Sequence, residues 1–248
     1  MALPKLTVPM YDVVCPSGLK VSFRPFLVKE EKLLMTAMES NEPDTQVSAI
    51  KKVLEECVGT ISNIDVDKLP LFDVEFLFLN LRARSIGEVV TLKYKCKQLV
   101  PNANAANALV ECGSVSEYKV DLLTVKPTFA PGHQKQIQLT PEVGIIMRYP
   151  TFKSYGTISR KDMSSDDAFA FLVSSIESIY DQQTVIPTKD VPLEEVNAFV
   201  DDLTNTQVEK IDAFFSTMPK LETTIMFKCP KCAYEEELTV RGLDNFFG

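Results

Sequence analysis

A single histidine, His133, serves 248 residues, and no Gly-x-Ser-x-Gly elbow, glycine-rich phosphate loop or His-x-x-x-His pair accompanies it. Acyl transfer by a serine–histidine pair, phosphate cradling and a histidine-held catalytic metal are therefore not expected, and the chain reads as a non-enzyme. No apolar run approaches the ~20 residues that cross a bilayer, so no membrane partner is expected. An apolar, positively flanked N-terminal segment is missing too. That points the six cysteines toward a reducing, intracellular compartment, where thiols bind metal or do redox work more often than they form structural disulfides. Cations are in short supply: 26 Lys and Arg against 34 Asp and Glu leave a net charge of −8. The balance opposes nonspecific binding to nucleic acid, whose phosphates must be neutralised, and favours proteins as partners. Asp166-Asp167, Glu194-Glu195 and the run Glu235 to Glu237 read as solvated faces.

What the chain does have is a hydrophobic content of 45%, enough at this length to bury a sizeable core without staples. Its most informative stretch is Thr223 to Val240, where Cys229-Pro-Lys-Cys232 stands between two β-prone runs. Two thiolates at this spacing hold one metal ion, and a strand on each side makes the turn a zinc knuckle. A redox Cys-x-x-Cys more often opens a helix, whose dipole lowers the thiol pKa, so zinc is the better account here. The other half of the site is expected from Val89 to Leu123, which carries Cys96 and Cys112 on strand-like sequence. Cys96, Cys112, Cys229 and Cys232 are thus the expected ligands of one structural zinc, with His133 as the alternative fourth ligand should Cys112 not serve; otherwise His133 reads as a solvated loop residue. Cys15, at a turn tip, and Cys57, on an apolar helix face, are expected to be free thiols.

In chain order, Val8 to Val13 and Leu19 to Phe23 flank Pro16-Ser17-Gly18 and read as a hairpin. Helical spacing begins at Val28 and ends at Asn41-Glu42-Pro43; a second amphipathic helix covers Thr45 to Val58. LFDVEFLFLNLRARS, Leu71 to Ser85, is apolar on nearly every side and reads as a helix buried in the domain or against another protein. Beyond the first cysteine pair, Tyr118 to Lys126 reads as a strand ended by Pro127, and Ile137 to Tyr149 as a second hairpin across Thr140-Pro141. Ser164 to Tyr180 reads as one capped helix, followed by helices over LEEVNAFVDDL and TQVEKIDAFFSTM, the last with a capping-box spacing from Thr206 to Glu209.

RPFLVKEEKLLMTAMES (Arg24 to Ser40) with LPLFDVEFLFLNLRARSIGE (Leu69 to Glu88) resembles the baseplate hub assembly proteins of T-even-like tailed bacteriophages. LPKLTVPMYDV, VGIIMRYPTF and the closing knuckle with GLDNFF are similar as well, so the resemblance covers most of the chain. It implies a tail protein needed to build the central baseplate hub, without enzymatic activity, partnered by other hub and tail proteins, in the host cytoplasm during assembly and thereafter either retained in the virion tail baseplate or released. The fold class read from the sequence is α+β. Residues 1–87 are expected to form a hairpin-and-helix region, 88–126 and 222–248 a discontinuous zinc-ribbon-like module, and 127–221 an inserted hairpin with helices. Phe246 and Phe247 either fold back onto the ribbon or anchor a partner. The alternative function, a zinc-ribbon adaptor touching nucleic acid, needs a basic stripe that only Lys93, Lys95, Lys97, Lys228, Lys231 and Arg241 could build.

Overall fold

In a computed structural model describing residues 6–40, 42–102, 108–154 and 164–241, the chain starts as a hairpin of β1 (Tyr11–Val14) and β2 (Lys20–Phe23). Helix α1 (Val28–Ser40) and helix α2 (Pro43–Leu54) follow. Glu55–Gly59 then widens into a π-helical turn, where a straight α-helix was expected, and buries Cys57, Val58 and Gly59 together. A Cβ at Gly59 would stand 3.1 Å from the Ile64 carbonyl oxygen, a tight contact.

Helix α3 (Leu71–Ser85) is the buried helix that the sequence foretells. Val74, Leu77, Phe78 and Leu81 pack into a core with the hairpin, α1 and α2, while Leu79 and Ala83 turn the other way, into a second core with Val90, Val120 and Leu221. Phe72 meets Tyr149 edge-on, with ring centroids 5.0 Å apart. A helix apolar all round needs partners all round, and here it has them. Its one wholly buried carboxylate, Asp73, accepts from the backbone and hydroxyl of Ser17 at the hairpin tip; burial holds its pKa above the usual carboxylate value.

The first of two ribbons comes next in the chain. β3 (Val89–Lys95) and β4 (Leu99–Pro101) run out; β5 (Leu109–Glu111) and β6 (Val115–Asp121) run back, pairing β3 with β6 and β4 with β5. The short β4–β5 pair lies between Cys96 and Cys112 in the chain. The expected strand over 118–126 stops at Asp121, whose side chain accepts from the Leu123 amide and starts a 3-10 turn.

Past β7 (Pro127–Thr128), the strands β8 (Gln136–Gln138), β9 (Gly144–Met147), β10 (Ile176–Tyr180) and β11 (Val185–Pro187) form one antiparallel sheet ordered β11-β10-β9-β8. Helices α4 (Ser165–Ser174), α5 (Leu193–Asp201) and α6 (Asn205–Thr217) cover its apolar face, packing Val173, Val196, Val200, Ile211 and Phe214 on Ile145, Met147 and Ile176. The expected helix over 164–180 is therefore cut short: Ile176 to Tyr180 joins the sheet, with Ile179 opposite Ile145 on one side and Ile186 on the other. The capping box of α6 sits at Thr204 and Gln207, two residues before the expected frame. β12 (Lys220–Lys228) and β13 (Glu235–Arg241) then form the second ribbon, with β7 pairing on β12 at Lys220 and Leu221. The architecture is α+β. Phe246 and Phe247 lie outside the described residues.

Gly144 stands opposite Tyr180, whose ring lies over it while the phenol donates to Gln138 Oε1 at 2.9 Å. A Cβ at 144 would collide with that ring and with the Ile137 carbonyl. Gly144→Ala is expected to cost about 1–3 kcal/mol, measured by denaturant unfolding, with Tyr180→Ala in the same chain recovering part of the loss.

Candidate metal centre

Strand alternation alone carries the cysteines to one place. In β3 the inward residues are Val90, Leu92 and Tyr94, and the next in step is Cys96, fully buried; in β6 they are Val120, Tyr118 and Ser116, and the same parity reaches Cys112. The pairing continues through the cysteines: the Cys96 amide donates to the Ser114 carbonyl and the Cys112 amide to that of Gln98, both at 2.8 Å. Between them Gly113, at φ +67, takes the left-handed conformation that glycine tolerates and kinks the ribbon. The second ribbon follows the same rule, with Ile225, Phe227 and Cys229 inward on β12, and Leu238, Tyr234 and Cys232 on the return.

Where the ribbons face each other, Phe227 is the packing centre. Its ring meets Tyr94 at 4.6 Å and Tyr118 at 6.0 Å between centroids. Both phenols are held at their far ends: Tyr94 donates to Glu236 at 3.0 Å, and the Lys228 amide donates to the Tyr118 oxygen at 3.1 Å. This small core sits directly beneath the thiols.

The four sulfurs all lie within 4.8 Å of one another. Cys96 Sγ is 3.8 Å from Cys232 Sγ, and Cys112 Sγ is 3.7 Å from Cys229 Sγ, with no disulfide formed. A tetrahedron of thiolates about 2.3 Å from a central zinc has edges of about 3.8 Å, so the donor set and its spacing fit such an ion. The backbone is arranged for thiolates as well. Burial opposes ionisation of Cys229, but the Cys232 and Lys231 amides donate to its sulfur and bring its pKa down to about 6. The Tyr234 amide donates to Cys232, and the Gln98 amide to Cys96, although burial still pushes Cys96 up to about 12. The knuckle is closed by the Cys229 amide on the Tyr234 carbonyl and the Ala233 amide on the Cys229 carbonyl, which forces Ala233 to a left-handed φ of 58.

The remaining candidates are elsewhere. Cys15 and Cys57 are buried free thiols whose pKa values burial raises to about 12 and about 11, as suits neutral core residues. His133 is half-buried, where a solvated loop residue was expected. Its ring nitrogens lie 2.9 Å from Thr217 Oγ1 and 3.0 Å from Tyr149 Oη, its ring stacks on Tyr149, and burial lowers its pKa. The signal that could have placed it is the aromatic pattern around it: Tyr149 and Phe214 close on the ring from two sides.

A family model described as T4 bacteriophage base plate protein matches residues 8–248. No curated protein and no solved structure gives a match.

Titrating the metal-free chain with Co2+ is expected to give one equivalent of a tetrahedral thiolate spectrum. Ser at position 96, 112, 229 or 232 should weaken or abolish it, whereas Cys15→Ser and Cys57→Ser should leave it unchanged.

Proposed function

The chain belongs to the T4 bacteriophage base plate protein family, and from that premise we propose that it is a subunit or assembly factor of the central baseplate hub, acting through protein contacts and stapled by one structural zinc. The observation that carries this reading is the family match across nearly the whole chain. The zinc rests on the four-sulfur cluster, whose donors are all cysteine. Four sulfur ligands fill a tetrahedral zinc and leave no open position for water or substrate, which suits a structural ion and not a catalytic one. In this reading the ligands are Cys96, Cys112, Cys229 and Cys232, and the module they close is built from 88–126 and 222–248, with 1–87 and 127–221 as the flanking and inserted regions. Phe246 and Phe247, at its end, would serve as an anchor on a hub partner. No helix among the described residues is long and apolar enough to cross a membrane.

The nucleic-acid alternative draws less support. Two of the lysines that a basic stripe would need already face carboxylates: Lys228 lies 2.7 Å from Glu235, and Lys93 lies 3.6 Å from Glu117.

Elemental analysis of the protein as purified is expected to give about one zinc per chain. Stripping it should lower the melting temperature by roughly 10 °C or more, because a metal bound only by the folded chain contributes to folding; well-folded protein without zinc would sink the assignment. Mass spectrometry of tails and of hub intermediates separates the two roles. Presence in finished virions marks a subunit, presence in hub intermediates alone marks an assembly factor, and absence from both contradicts the hub reading.

A further inference from the structure

We propose that the groove between α4, α5 and the turn after β11 is a docking site for an acidic amphipathic segment of another tail protein. The groove has a volume of about 460 Å³. Its floor is apolar, made by Phe169 and Val173 of α4 and Val196 of α5, and Leu193 stands 63% exposed at its lip. Among the described residues, the charged side chains in its walls are Arg148 and Lys189. Neither takes part in an ion pair among the described residues. The groove's lining thus sets two cations in a chain of net charge −8, with the exposed Asp190, Glu194 and Glu195 next to it in sequence. It is complementary to a ligand that carries apolar side chains for the floor and carboxylates for the walls.

The strand before the turn is exposed as well. β11 is the edge of its sheet, and Val185 and Ile186 are exposed on it, leading directly into the turn that bears Lys189. A helix laid in the groove would bury one apolar face and keep its acidic flanks against Arg148 and Lys189. A second copy of this chain is the less suitable occupant. Pairing two such grooves about a two-fold axis would set the cations of one copy against those of the other. The inference relies on the baseplate reading only for the partner being a tail protein; the groove's chemistry stands without it.

The test uses the full chain with its metal and a fluorescein-labelled helical peptide bearing Leu, Phe and Leu on one face and Glu on its flanks, beside a twin with Lys for Glu. Anisotropy is expected to show saturable binding of the Glu peptide, weakened by NaCl and reduced roughly tenfold in Arg148→Glu/Lys189→Glu. The Lys twin should gain affinity in that variant. Ala170→Trp, which places an indole at an exposed lining position and leaves both cations in the chain, should weaken the Glu peptide as well. Equal binding of the two peptides, no effect of charge reversal, or a self-association in sedimentation that charge reversal abolishes would overturn the proposal. If the groove fails this test while mass spectrometry finds the chain in tails or hub intermediates, only the docking site falls and the baseplate reading stands.

Discussion

Burial of helix 71–85 on every side is the constraint from which the rest of the architecture follows. The helix cannot be stable with an apolar surface in water, so the hairpin, α1 and α2 cover one face, the root of the first ribbon and Leu221 cover another, and Tyr149 reaches it from the sheet region through Phe72. Its first turn is tied down too. The Leu71 amide donates to the Pro150 carbonyl and the Phe152 amide to that of Leu69, while Asp73 holds the hairpin tip through Ser17. Segments from both ends of the chain thus meet on one element, which explains how the two ribbons, distant in sequence, are set side by side.

Contact between the ribbons is then a matter of parity. Apart from the short pairing of β7 at Lys220 and Leu221, each is a two-stranded element, which is marginal alone in water, and Phe227 with two tyrosines is a small core. Four cysteines at the outer end bring Cys96 and Cys112 together with Cys229 and Cys232, where a bound ion would give the pair what its area cannot, a set of bonds across the two ribbons. Backbone N–H groups aimed at the sulfurs of Cys96, Cys229 and Cys232 favour thiolates in that corner, whereas burial is the dominant influence on the thiols of Cys15 and Cys57. An ion there would fix the direction in which β4 and β5 leave the ribbons, which is how a structural metal can matter to a partner that never touches it.

Much of this was legible in the residues themselves. The buried helix, the first hairpin and the grouping of four cysteines all follow from local period or from Cys spacing. The misread elements are those decided by distant partners. Ile176 to Tyr180 satisfies a helical stripe as well as a strand pattern, and the deciding fact is pairing with Gly144 to Met147, about thirty residues earlier. Thr204 to Gln207 and Thr206 to Glu209 offer two capping frames, and the bonds between Thr204 and Gln207 select the first. His133 was misread because nothing nearby in sequence shows Thr217 or Phe214 packed against it.

Hydrogen exchange on the metal-loaded and metal-stripped chain tests the central claim most directly, namely that one ion holds the two ribbons together and is not needed by the other cores. The account predicts that stripping will strongly deprotect amides flanking the cysteines in β3, β6, β12 and β13, while those of α3 and of the β8–β11 sheet keep their protection. Unchanged exchange in the ribbons, or an equal loss throughout the chain, would contradict it.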